Sequence, residues 1–199
     1  MDIRNAPGKK IRKAGTLKII VGCMCSGKGE FLLRSIARIA PLGKILAFKS
    51  ALDARDGACI RSRAGGFFPA ISIKRAEEIF RHLAPENKVV IIDEAELFGA
   101  DIVETVGCLM DLGKEILVAG LDADFAGRPF GPMPFLMAIP EAKIVKLTAR
   151  CAVCGGRATR TQRLINGQPA PADAPIISIE GRNADEKYEP RCRKCHRMP

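Results

Sequence analysis

The segment Gly22-Cys23-Met24-Cys25-Ser26-Gly27-Lys28-Gly29 constrains this chain most, because it lies between a strand signal and a helix signal. Upstream, Leu17-Lys-Ile-Ile-Val21 is a short apolar run rich in β-branched residues, the pattern of a buried strand. Downstream, Glu30 to Ile39 repeats apolar residues at helical spacing. A glycine turn ending in lysine between such elements forms a concave anion site from backbone amides and a helix N-terminus. Gly27 lets the main chain approach phosphates closely, and Lys28 supplies a point charge for the β and γ oxygens. An ordinary glycine turn is the bland alternative, opposed by the strand, the spacing and the lysine together. The last position departs from the GxxxxGK[ST] pattern: Gly29 has no hydroxyl to ligate Mg²⁺, so water must take that place. Phosphate binding is expected to survive this, with catalysis more exposed to it, and Gly29→Thr is expected to raise activity or tighten the Mg²⁺ dependence.

A second phosphate-site element is the buried run Val89-Val-Ile-Ile92 ending in Asp93-Glu94, which delivers two carboxylates to the C-terminal edge of a sheet. Asp93 would hold a magnesium-bound water and Glu94 would be available for acid–base work. As the structural alternative, Asp93 simply caps the next segment. Further strands are expected at Lys44–Phe48, Ala70–Ile73, Glu115–Ala119 and Lys143–Leu147. Helices are expected over Arg75–Leu83, stopped by Pro85, and over Ala100–Leu112, closed by Gly113. Strands alternating with helices predict an α/β fold of the P-loop, RecA-like kind, with a mostly parallel sheet covered by helices on both faces. From about Ala149 the rhythm gives way to cysteine, glycine, arginine and threonine, so the division expected is a basic leader over 1–15, a nucleotide-binding kinase domain over 16–149 and a small zinc-ribbon-like domain over 150–199.

The net charge of +10 fits either nucleic acid or attraction of a polyanion such as ATP. One Tyr, no Trp and no interleaving of aromatic with basic residues leave no stacking platform for single strands, so no nucleic-acid partner is expected. No apolar run nears the roughly 20 residues that cross a bilayer, and the start lacks a secretory pattern; a cytoplasmic protein without a membrane partner is expected.

In such a compartment the 8 cysteines do not read as disulfides. Two CxxC pairs, Cys151/Cys154 and Cys192/Cys195, stand about forty residues apart and read as a tetrahedral, structural Zn²⁺ site with no open position. His196 in place of Cys195 as fourth ligand stays open at this point. A redox CxxC is disfavoured because neither pair begins a helix after a strand. Zinc would pin both ends of a substrate loop and supply folding energy.

The run 22–28, Asp53-Ala-Arg55, Ile92-Asp-Glu-Ala95, Gly120-Leu-Asp-Ala-Asp-Phe125, Pro129-Phe-Gly131, Val145-Lys-Leu-Thr-Ala149, Cys151-Ala-Val-Cys154 and Tyr188-Glu-Pro-Arg-Cys-Arg-Lys-Cys195 occur in this order. Together they resemble the type II, cytosolic-type thymidine kinases, from about Gly15 to His196. The resemblance implies transfer of the ATP γ-phosphoryl group to the 5′-hydroxyl of thymidine in deoxynucleoside salvage. It places Glu94 as catalytic base, with Lys28, Mg²⁺ and Arg55 neutralising charge. It also implies a nucleoside pocket of Met24, Leu121, Phe125, Phe130, Thr161 and Tyr188, with the base read by main-chain groups of a loop from about Ile179 to Lys187. A homotetramer is implied as well, with room for feedback by thymidine triphosphate. Taken singly, the apolar residues of that set are more often core. Besides Gly29, Glu96-Leu97 stands where the family has Gln-Phe, and the loop 180–187 is a residue or two longer and lacks a double glycine. Two other functions compete: a nucleotide-binding homologue with little or no turnover, motivated by Gly29 and Glu96-Leu97, and a nucleic-acid-stimulated P-loop ATPase, motivated by the charge.

Overall fold

The computed structural model describes residues 14–53, 57–178 and 185–197. The expected leader therefore lies outside the described residues up to residue 13, as do Arg55 and Ile179.

The chain runs β1 (Thr16–Val21), α1 (Lys28–Ile39), β2 (Lys44–Ser50), β3 (Cys59–Arg61), β4 (Phe67–Pro69), β5 (Ile71–Ile73), α2 (Ile79–His82), β6 (Asn87–Asp93), α3 (Asp101–Asp111), β7 (Glu115–Gly120), α4 (Met133–Met137) and β8 (Ala142–Lys146). It continues with β9 (Ala149–Arg150), β10 (Arg157–Ala158), β11 (Arg160–Ile165), β12 (Gln168–Pro169) and β13 (Glu186–Arg191).

Six strands form one sheet in the order β5-β2-β6-β7-β1-β8, and every pairing in it is parallel. The β1, β6 and β7 sequences are continuous apolar runs because the central strands are covered on both faces. Alternation along each strand divides the core in two. Ile19 and Val21, Val90 and Ile92, and Ile116 and Val118 face α3 residues such as Ile102, Val106 and Leu109. Ile20, Val89, Ile91, Leu117 and Ala119 pack with Leu32 and Ile36 of α1 on the other side. Truncating one of these fully buried side chains to Ala would cost about 2–5 kcal/mol.

α3 closes at Gly113, whose φ of 72° is the left-handed geometry of a helix C-terminus, with its amide donating to the Met110 carbonyl at 2.9 Å. The helix expected over Arg75–Leu83 is a 3-10 turn, Ala76–Glu78, running into the one-turn α2. The Glu78 carboxylate accepts from the amides of Lys74 and Arg75 and fixes its start.

All parallel strands point the same way, so their C-terminal ends share one edge. The turn after β1 and the acids after β6 therefore lie side by side, with β7 between the two strands in the sheet. The β3–β4 hairpin, absent from the sequence-based expectations, folds across α1 near this edge. Beyond β8 the chain forms a two-stranded ladder, β9–β10, and an antiparallel three-stranded sheet, β12-β11-β13.

Candidate active site

β1 ends at Val21, and α1 begins at Lys28 after a turn in which Gly27 takes φ 83° and Cys25 takes φ 61°. The first amides of α1 thus open onto the turn. The Lys28 ammonium lies back across it, donating to the carbonyls of Gly22 at 3.0 Å and Cys23 at 3.1 Å. Met24 takes no part in an amide cradle: its N–H donates to the Thr161 hydroxyl of β11 at 3.1 Å. Cys23 is buried against Ala158 and Cys151 and also turns toward the C-terminal sheets. Cys23 and the Met24 amide therefore anchor the turn, while Met24 to Gly29 line a cleft of about 400 Å³.

Asp93 and Glu94 line the same cleft as Lys28. Burial, then the adjacent Glu94 carboxylate, pushes Asp93 up to about 7, with Lys28 and Lys49 opposing. Lys49 itself is buried in an ion pair with Asp53, the first residue of Asp53-Ala-Arg55, at 3.2 Å. Glu94 has φ 51° and ψ 46°, a left-handed conformation costing a non-glycine residue about 1–3 kcal/mol. Its amide donates to the Asp93 carboxylate at 3.0 Å.

The β3–β4 hairpin supplies the opposite wall: Arg61, Ser62, Arg63 and Ala64. Arg63 donates to the Cys25 sulfur at 2.9 Å. None of these four stands out in the sequence, because the hairpin strands are three residues long and carry no alternation. The hairpin also explains Gly29. A Cβ there would lie 2.6 Å from the Arg61 carbonyl oxygen, so Ser or Thr could enter only if β3 moved away. The glycine is matched to the close approach of the hairpin, and the gain expected from Gly29→Thr is replaced by a clash.

A second cavity adjoins the first. Met24, Leu121, Phe125, Phe130, Thr161 and Tyr188 all line it, together with Glu94, Glu96, Leu97, Asp124 and the segment Ile176–Ser178. No role for Asp124 is legible in the sequence. Its carboxylate accepts from the amides of Ala126 at 2.9 Å and Arg128 at 2.8 Å, which folds the loop that presents Phe125 and Phe130. The cavity is narrow, about 50 Å³, where small-molecule sites are usually some 300–1,000 Å³. Half-exposed Ile176 and Ile177, outside any strand, form one of its walls.

The segment is tied down at both ends by one buried cluster. Arg163 pairs with Glu186 at 2.5 Å and donates to the Pro175 carbonyl at 2.6 Å. Glu186 accepts from Ser178 at 2.7 Å and from the Tyr188 hydroxyl at 3.0 Å. The guanidinium also stacks over Phe125 and Tyr188. Burial works to raise Glu186, but the hydrogen bonds from Ser178, Arg163 and Tyr188 hold it below the usual carboxylate range. Burial, with the Glu186 carboxylate adding to it against Arg163, pushes Tyr188 up to about 12, so the phenol remains a donor at neutral pH.

The sulfurs of Cys151, Cys154, Cys192 and Cys195 all lie within 4.8 Å of one another. Cys154 and Cys192 stand 3.7 Å apart, far beyond a disulfide bond and close to the roughly 3.8 Å edge of a tetrahedron of thiolates about 2.3 Å from one Zn²⁺. His196 does not compete with Cys195, for its Nε2 is engaged with the Phe125 carbonyl at 2.8 Å. The donor set fits a structural zinc ion.

A glycine turn carrying Lys28 and a pair of acids in one cleft, a second cavity joined to it, and four converging thiols are therefore parts of one chain. A family model described as thymidine kinase matches residues 15–196, which takes in both cavities and the cysteine cluster. The chain belongs to the thymidine kinase family, phosphotransferases with a P-loop fold that act on thymidine.

Proposed function

We propose that this protein transfers the γ-phosphoryl group of ATP to the 5′-hydroxyl of thymidine, giving thymidine monophosphate. The observation that carries this reading is that the phosphate cleft and the second cavity meet at Met24 and Glu94, the residues lining both. A nucleoside in one cavity and a triphosphate in the other have the Glu94 carboxylate between them. Glu94 is then the general base that takes the hydroxyl proton, a role usually worth about 10²–10⁴-fold in rate. Lys28, with the turn from Cys25 to Gly29, binds the β and γ phosphates. Asp93 is the residue that would hold Mg²⁺ through water, and the ion, when bound, neutralises charge on the transferring group. Phe125, Phe130, Leu121, Met24 and Tyr188 grip the base, while Thr161 acts through the Met24 amide. Arg55 and Ile179 complete the proposal from the resemblance alone. Zn²⁺ on the four cysteines is structural.

The family resemblance supports the wider proposals of a homotetramer in cytoplasmic nucleoside salvage with feedback by thymidine triphosphate. Among the described residues no helix is long and apolar enough to cross a membrane.

A second reading, a homologue that binds nucleotide without turnover, is favoured by one observation: the hairpin leaves no room for a metal-binding hydroxyl at residue 29. Incubation with thymidine, ATP and Mg²⁺ separates the two. Thymidine monophosphate formed by the wild type and not by Glu94→Gln supports the kinase; tight ATP binding with no product supports the silent homologue.

A further inference from the structure

Three residues beyond Asp93, Glu96 lies in the short 3-10 turn after β6 with only 3% of its surface exposed. It lines the narrow cavity beside Glu94. The two carboxyl groups share this wall, near enough for a hydrogen bond to pass between them. Two carboxyl groups can share a hydrogen bond only if one brings a proton. The Glu96 Oε2 atom is buried with no hydrogen-bond partner among the described residues. It rests against Gly120, where a Cβ would lie 2.6 Å away, and beside the Met133 sulfur. An ionised carboxylate there would leave a charged oxygen unpaired in an apolar recess, which is costly. A neutral acid leaves only a carbonyl oxygen in the recess and turns its O–H to Glu94. The nearby cation, Lys28, is committed to the carbonyls of Gly22 and Cys23.

We propose that Glu96 is a positioning residue for phosphoryl transfer: as a neutral acid in the wall of the nucleoside cavity, it donates a hydrogen bond to Glu94 and fixes which carboxylate oxygen faces the substrate hydroxyl. The proposal rests on the reading of Glu94 as the base. Glu94 sits in a left-handed backbone conformation, so its side chain is aimed by an unusual main chain as well as by this bond. Burial, then the Glu94 carboxylate and its hydrogen bond, raises Glu96 well above the usual carboxylate range, consistent with an acid that keeps its proton. Gly120 is the complementary feature: its missing side chain makes the space that Oε2 fills. No proton is consumed in the cycle, because Glu96 donates a hydrogen bond and not the proton itself.

The test uses the full-length protein with zinc retained and three variants: Glu96→Leu, which removes the donor; Glu96→Gln, whose amide can still donate; and Glu94→Gln. Difference infrared spectra at neutral pH should show a protonated-carboxyl stretch in the wild type that disappears in Glu96→Gln. In steady-state assays with thymidine and ATP, Glu96→Leu should lower kcat about 10-fold or more with KM for ATP within twofold, and Glu96→Gln should restore most of that kcat. Thermal melting identifies a variant that fails to fold, in which case Glu96→Met replaces Glu96→Leu. Absence of the protonated-carboxyl band, or equal kcat in the Leu and Gln variants, overturns the proposal. A wild type that makes no thymidine monophosphate overturns the proposed kinase function instead, and the infrared band still decides whether Glu96 is the neutral acid.

Discussion

The two walls of the site are held by different means. The wall proposed to bind phosphate grows from the ends of β1 and β6, strands whose apolar residues are almost wholly buried between two hydrophobic layers. On the far side of the cavity proposed for the nucleoside, Thr161, Tyr188 and Ile176–Ser178 hang on β11, on β13 and on a segment without regular structure, near two-residue strands and a hydrophobic cluster whose buried members are Cys23, Cys151 and Ala158. A sheet with a core positions the side chains at its strand ends by itself. The other wall depends on point attachments: four thiols, one buried ion pair, and the Met24–Thr161 bond to the phosphate turn. The cavity on that side is the narrower of the two, at about 50 Å³ against about 400 Å³.

The largest effect expected from this contrast comes from the metal. Structural zinc sites contribute on the order of 10 kcal/mol of folding free energy. Chelation, or Cys154→Ser, should abolish thymidine binding while a calorimetric transition for the six-stranded sheet persists and ATP still binds. A single loss of both would erase the distinction between the walls. Next is Glu94→Gln, expected to lower kcat by about 10²–10⁴-fold with ATP affinity kept, measured by single-turnover transfer and by nucleotide titration. Unchanged turnover would remove Glu94 from its role.

Arg163→Met should act on one wall only. Breaking a buried pair from one side typically costs about 3–5 kcal/mol, here of local order, so KM for thymidine should rise at least tenfold with KM for ATP unmoved. Equal rises in both constants would show that the attachment serves the whole fold. The smallest effect, about 1–3 kcal/mol lost to overpacking, is expected of Gly29→Thr, because the added atoms press on the Arg61 carbonyl. A lower melting temperature and weaker ATP binding would confirm the fit of the hairpin; a gain in activity would show that the missing hydroxyl matters more.

The same contrast governs what the sequence disclosed. Val89–Asp93 and Leu17–Val21 announce themselves because a buried parallel strand must be apolar throughout, and Lys28 and Gly27 because anion binding demands those types at that spacing. The CxxC pairs are legible for a similar reason: tetrahedral thiolate coordination fixes residue type and local spacing. The hairpin Cys59–Pro69 was hidden, since Arg61, Ser62 and Arg63 look like surface residues until Gly65 and Gly66 turn the chain back over the phosphate cleft. Glu96 is marked in sequence only as a departure from the family's Gln-Phe, and tertiary packing against Gly120 shows it to be buried. Asp124 likewise reveals its role through amides two and four residues away, which no composition or period marks. Family resemblance implies Thr161 as a pocket residue, and in the structure its hydroxyl also accepts the Met24 amide.

The most direct measurement is a crystal structure of the protein with thymidine and a non-hydrolysable ATP analogue bound together. The 5′-hydroxyl should lie within hydrogen-bond reach of the Glu94 carboxylate, about 2.6–3.2 Å, with the γ-phosphate against Lys28 on the other side. Thymidine bound away from Phe125 and Tyr188, or a hydroxyl turned from Glu94 while both ligands are fully occupied, would contradict the meeting of the two cavities at that residue.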